Sequence, residues 1–168
     1  MNLDALGCAA IAGVMQATNP DVNMVSAPVI AADRGIRVSR TTQGQTGVFE
    51  AYIKMTVKTA ERERSIAGTV FSDGKPRFIQ IKGINIDAEV GAHMLYTTNE
   101  DTPGIIGVLG RTLGEGGVNI ANFTLGRNEK GRDAIALLYV DDVVPEPVLA
   151  ELRATGLFGQ VRPLQFQT

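Results

Sequence analysis

From His93 to Phe166 the apolar periodicity runs strand, helix, strand, strand, helix, strand, an order that few folds accept. His93–Asn99 alternates as a strand. Thr102 is the expected helix cap and Pro103 the first helical position, with Ile105, Ile106, Leu109 and Leu113 forming an apolar face. Gly116-Gly117 stops that helix. Val118–Gly126 reads as a strand, Asn128–Gly131 as a turn, and Ile135–Val140 as a nearly continuous apolar strand. Asp142 and Pro145 introduce a second helix, carrying Val148, Leu149 and Leu152 and ended by Gly156; Val161–Phe166 is the last strand.

The order βαββαβ is the ferredoxin-like split motif, with two helices over one face of a four-stranded antiparallel sheet. The other face is expected to be solvated or used for association. The first half differs. An apolar stripe of Leu3, Leu6, Ile11, Val14 and Met15 predicts a helix over Leu3–Gln16, ended by Asn19-Pro20-Asp21. Ser26 as a cap, Pro28 in the first turn and Gly35 after the end predict a short helix over Ala27–Arg34. From Ile36 the period becomes two, with Ile36, Val38, Phe49, Ala51, Ile53, Met55 and Val57 facing one way. Arg64–Phe71 and Arg77–Ile81 repeat the strand pattern around a Ser72–Lys75 turn, and Glu61-Arg62-Glu63 marks another hairpin tip. Ile84–Val90 is a strand and connector. The fold class is therefore α+β: two helices packed on an antiparallel sheet, then the βαββαβ unit.

Composition narrows function by exclusion. A net charge of -2 argues against nucleic acid or an anionic membrane held by bulk charge. One cysteine, Cys8, and one histidine, His93, leave no internal disulfide and no cysteine-rich or clustered-histidine metal site. No apolar run is long enough to span a membrane, and Leu3–Gln16 has no basic flank or cleavage site, so a cytoplasmic protein is the expectation. Gly104, Gly107 and Gly110 fall inside a predicted helix rather than in a dinucleotide turn, so NAD is not expected to bind this chain. No Gly-Lys-Ser/Thr phosphate loop occurs, and no base, nucleophile and acid converge. No catalytic residue is assigned. An RNA-binding sheet needs exposed aromatics and basic residues, but Val118–Gly126 and Arg132–Val140 carry only Phe123 and Tyr139.

One constellation carries chemistry. The run Asn99-Glu100-Asp101-Thr102-Pro103-Gly104 leads from a strand straight into a helix. The first helix amides suit a carboxylate, and Gly104 permits close approach. Asp101 places a negative charge beside that positive pole, a combination suited to the zwitterion of an α-amino acid. Asn119, opening the next strand, is expected near the same loop, and its amide can donate and accept. The competing reading is that Asp101 or Thr102 only caps the helix and Asn119 only closes a turn.

The stretch NEDTPGIIGVLGRTLGEGGVNIAN (Asn99–Asn122) resembles the opening of an ACT domain, a ferredoxin-like amino-acid-binding module. The longer stretch RSIAGTVFSDGKPRFIQIKGINIDAEVGAHMLYTTNEDTPGIIGVLG (Arg64–Gly110) resembles the C-terminal part of the bacterial D-3-phosphoglycerate dehydrogenase family, as does VNMVSAPVIAADRGIRVSR (Val22–Arg40). The resemblance implies a partial intervening, or allosteric-substrate-binding, domain over residues 1–83 and an ACT domain over 84–168. It implies NAD-binding and substrate domains upstream, so that NAD is a cofactor of the parent enzyme and not of this chain. It implies homo-oligomers joined through ACT domains, and L-serine or another small amino acid as an inhibitory ligand. The family's ligand positions fall on Asn99, Asp101 and Asn119, with Pro103, Gly104 and Ile105 completing the loop. The pattern departs at Asn99, where serine-sensitive relatives often carry His or Tyr. Some relatives bind an anion through basic residues of the intervening domain, for which Arg37, Arg40, Lys75, Arg77 and Lys82 are the matching candidates; the alternative is a solvated strand face.

Overall fold

The structure, a computed structural model, describes residues 3–42, 51–129 and 133–166. It divides into two compact units, Met1–Val48 and Phe49–Thr168.

The first unit holds α1 (Leu3–Gln16) and α2 (Ala27–Asp33). Ala12 and Met15 of α1 are buried with Val22, Ala27 and Ala31, whereas Val14, expected in the stripe, is 40% exposed. Small alanines let the two helices approach closely. The expected Ser26 cap is absent: its side chain caps nothing. Instead Asn23 Oδ1 accepts from the amides of Val25 and Ser26, a local turn that opens α2. Beyond the helix, Gly35 and Ile36 donate to the carbonyls of Ala32 and Ala31, the two bonds of a Schellman ending. Ile36 and Val38 lie in no strand and are about half exposed, contrary to the alternating reading. The continuation of that pattern at Phe49 lies outside the described residues.

The second unit contains two four-stranded antiparallel sheets. β1 (Ile53–Lys58), β2 (Glu63–Val70), β3 (Pro76–Ile81) and β4 (Ile84–Glu89) form a meander in sequence order. The tip between β1 and β2 is closed by the Thr59 amide donating to the Arg62 carbonyl. Lys82-Gly83, both at positive φ, form the two-residue turn between β3 and β4, whose mirror-image geometry suits strand twist. Thus β4 pairs with β3.

β5 (His93–Glu100), α3 (Ile105–Glu115), β6 (Ile120–Arg127), β7 (Asp133–Val140), α4 (Glu146–Ala154) and β8 (Phe158–Gln165) follow the expected βαββαβ order. The strand order is β6-β7-β5-β8. Leu109 and Leu113 of α3 and Leu149 and Leu152 of α4 bury against Leu95, Leu138 and Val140 on one face. The opposite face is neither solvated nor open. Ile81, Ile84, Ile86 and Ala88 of the meander cover it, burying Met94, Ile135 and Leu137. β7 is therefore apolar on both sides, which explains its unbroken Ala-Ile-Ala-Leu-Leu run. At Gly126 a Cβ would lie 2.6 Å from the Asn85 carbonyl oxygen, so the backbones of β4 and β6 meet where only glycine fits.

Candidate functional site

β5 delivers the loop. Asn99 is 7% exposed on the side of the sheet that carries Leu95, beneath the helices. Its Nδ2 donates to the Glu100 carbonyl at 2.7 Å, while its Oδ1 is buried without a hydrogen-bond partner among the described residues. The chain then turns, with the Thr102 amide donating to the Glu100 carbonyl at 2.8 Å.

The helix starts later than expected. Its cap is Gly104 at φ 96°, a left-handed conformation that favours glycine. Thr102 and Pro103 precede the helix, and Ile105, buried, is its first residue. The cap residue being a glycine, it supplies no side-chain acceptor of its own to the positive end of α3. A Cβ at Gly104 would meet nothing within 4 Å, so it is the positive φ and not crowding that favours glycine there.

Asp101 turns elsewhere. Its Oδ2 accepts from Arg127 Nη1 at 2.6 Å. The Asp101 side chain is 19% exposed and that of Arg127 is 52% exposed. Arg127 closes β6 and was not anticipated from sequence. The signal was topological: in a β-α-β unit both strands run the same way, so the loop leaving β5 meets the end of β6.

For the same reason Asn119 lies at the other end. Register places Asn99 beside Ala134 and Ile120 beside Val140. That separation along β7 is about 20 Å. Asn119 Nδ2 instead donates to Asp141 Oδ2 at 2.6 Å, and its carbonyl accepts from the Asp141 amide. One chain thus gathers Asn99, Asp101, Pro103, Gly104, Ile105 and Arg127, and holds Asn119 apart.

The basic candidates have these surroundings within their own units. Arg40 pairs with Asp4 in the first unit, and Arg37 is exposed. Lys75 pairs with Glu89 at 2.6 Å. Arg77 pairs with Asp73 at 2.9 Å and Asp87 at 3.4 Å, its guanidinium 4.6 Å from the centre of the Phe71 ring. The Lys75 amide and the Arg77 guanidinium hold the Asp73 carboxyl below its ordinary value, and the carboxylates raise Lys75 and Arg77. An anion would have to displace these acids. Lys82 sits at the other end of β3, its Nζ donating to Gln160 Oε1 at 3.0 Å and lying 5.6 Å from the centre of the Tyr96 ring. Burial, then Arg64, pushes its pKa down.

Among the described residues no group of acidic, cysteine and histidine side chains is arranged to hold a metal, and no helix is long and apolar enough to cross a membrane. The His93 Nδ1 is buried without a hydrogen-bond partner among the described residues.

Comparison with known proteins bears on the same segments. Residues 1–82 match the family model of the D-3-phosphoglycerate dehydrogenase intervening domain. Over 152 residues, 90% of this chain, it is 35% identical to the D-3-phosphoglycerate dehydrogenase of Synechocystis, covering 27% of that protein. Over 131 residues, 78% of the chain, it is 33% identical to the Bacillus subtilis protein of the same name, covering 25% of it. The Mycobacterium leprae counterpart is 28% identical over 156 residues, 91% of this chain and 30% of that protein. The chain therefore spans about a quarter of the length of the relatives it matches.

Proposed function

We propose that this chain, which belongs to the D-3-phosphoglycerate dehydrogenase family through its intervening domain, is the C-terminal regulatory portion of an NAD-dependent, cytoplasmic enzyme of that kind. The parent would oxidise 3-phosphoglycerate at the start of serine synthesis, with NAD held by domains upstream. This portion would supply subunit association and control by a small α-amino acid, L-serine first.

The observation that carries the reading is the glycine-capped start of α3 beside the Asp101 carboxylate. The ligand carboxylate would take the first amides of the helix that follow Gly104, where a Cβ on that glycine would meet nothing within 4 Å. Asp101 would take the ammonium, and the unpartnered Asn99 Oδ1 offers a second acceptor. Asn119 belongs to the site only if a facing copy supplies it, so ligand and subunit contact are coupled. Calorimetric and thermal-shift titration with the proteinogenic amino acids tests this. At 100 times its dissociation constant a ligand should stabilise the fold by about 2.7 kcal/mol.

A second reading, association without a ligand, is favoured by one fact: Asp101 already holds a cation of its own chain.

A further inference from the structure

That fact leads to a regulatory device, which rests on the amino-acid reading of the site. We infer that Arg127 is an intramolecular stand-in for the ligand's ammonium group, a latch that must leave Asp101 before an amino acid can bind.

The geometry follows from the sheet. Arg127 and Asn99 both pair with Ala134, from opposite sides of β7. They are two strand spacings apart, about 10 Å, which an extended arginine spans. The guanidinium thereby reaches the Asp101 carboxylate, where the 2.6 Å contact is a charge-assisted bond. An ammonium seeking the same oxygen would bring a like charge against the guanidinium. The two cations therefore compete for that oxygen. Arg127, half exposed, can withdraw into water, whereas Asp101 is largely enclosed. The latch joins the β5–α3 loop to the last residue of β6, an edge strand of its sheet. Ligand entry thus frees a cation at that edge and links the site to a surface where another chain can pair.

The test is calorimetric titration of the full chain with L-serine, comparing wild type, Arg127→Gln, Arg127→Lys and the control Arg111→Gln. Arg111 lies exposed on α3, and its loss changes net charge equally. The latch predicts that Arg127→Gln binds about two- to five-fold more tightly, the range of a partly exposed ion pair, with Arg127→Lys between it and wild type and Arg111→Gln unchanged. If wild type binds but Arg127→Gln binds equally or more weakly, Arg127 is no latch and the amino-acid site survives. If Arg127→Gln and Arg111→Gln gain equally, the effect is net charge and the latch is overturned. If no protein in the series binds serine, both the latch and serine as its ligand fall.

Discussion

Asn119 donates to Asp141 at 2.6 Å at the end of the ferredoxin-like sheet opposite the loop that carries Asp101. Within one chain the two residues expected to share a ligand are therefore too far apart to do so, and the proposed site needs Asn119 from a facing copy. Sedimentation velocity with increasing L-serine should then show the ligand shifting the chain toward dimers or higher oligomers. Tight stoichiometric binding by a strictly monomeric species would show instead that Asn119 takes no part.

Two adjacent residues of β7 test the two-sided burial of the sheet. Leu138 packs beneath the helices and Leu137 against the meander, each at most 1% exposed. Leu137→Ala and Leu138→Ala should each cost about 2–5 kcal/mol in urea unfolding. A cost below about 1 kcal/mol for Leu137→Ala alone would mean that the meander does not cover this face in solution.

Gly126→Ala sets a Cβ 2.6 Å from the backbone oxygen of Asn85 and 2.9 Å from Ile84 Cγ2. A carbonyl in a paired strand cannot swing away as a side-chain tip does. Loss of about 1–3 kcal/mol is expected, read by chemical denaturation. Unchanged stability would contradict the close approach of β4 and β6.

Much of this was legible in the chain. The βαββαβ order stands as its periodicity indicates, and so do the apolar faces of α3 and α4, except that Ile106, expected in the first, is 56% exposed. What failed were inferences needing a third dimension. Thr102 and Pro103 look like a helix start, but the left-handed Gly104 takes the cap position two residues later. Asn119 follows the helix closely in sequence, yet a parallel crossover carries it to the far end of the sheet. Arg77 meets Asp87 and Glu89 only through strand pairing, so it read as an available cation. The unbroken apolar run of β7 was the one visible sign that both faces are covered.

The Arg77 cluster has a pH signature. Asp73 has a folded-state pKa below its ordinary 3.8, first through the Lys75 amide and then through Arg77. Its contribution to stability is complete above the ordinary value and is lost as pH falls through the lowered one. Asp73→Asn should therefore flatten the acid limb of the stability profile below about pH 4 and leave its neutral-pH shape unchanged. Superimposable acid limbs for the two proteins would show that Asp73 is not held this way.

The amino-acid site is tested most directly by calorimetric titration of wild type, Asp101→Asn and Asn119→Ala with L-serine, with glycine and L-valine as comparisons. Wild type should bind at least one of them. Asn119→Ala should weaken binding about ten-fold, since an unmade buried hydrogen bond costs roughly 1–3 kcal/mol, and Asp101→Asn should weaken it further. Absence of binding by wild type to all three would contradict small-amino-acid sensing by this chain, and equal affinity across the three proteins would place the ligand elsewhere.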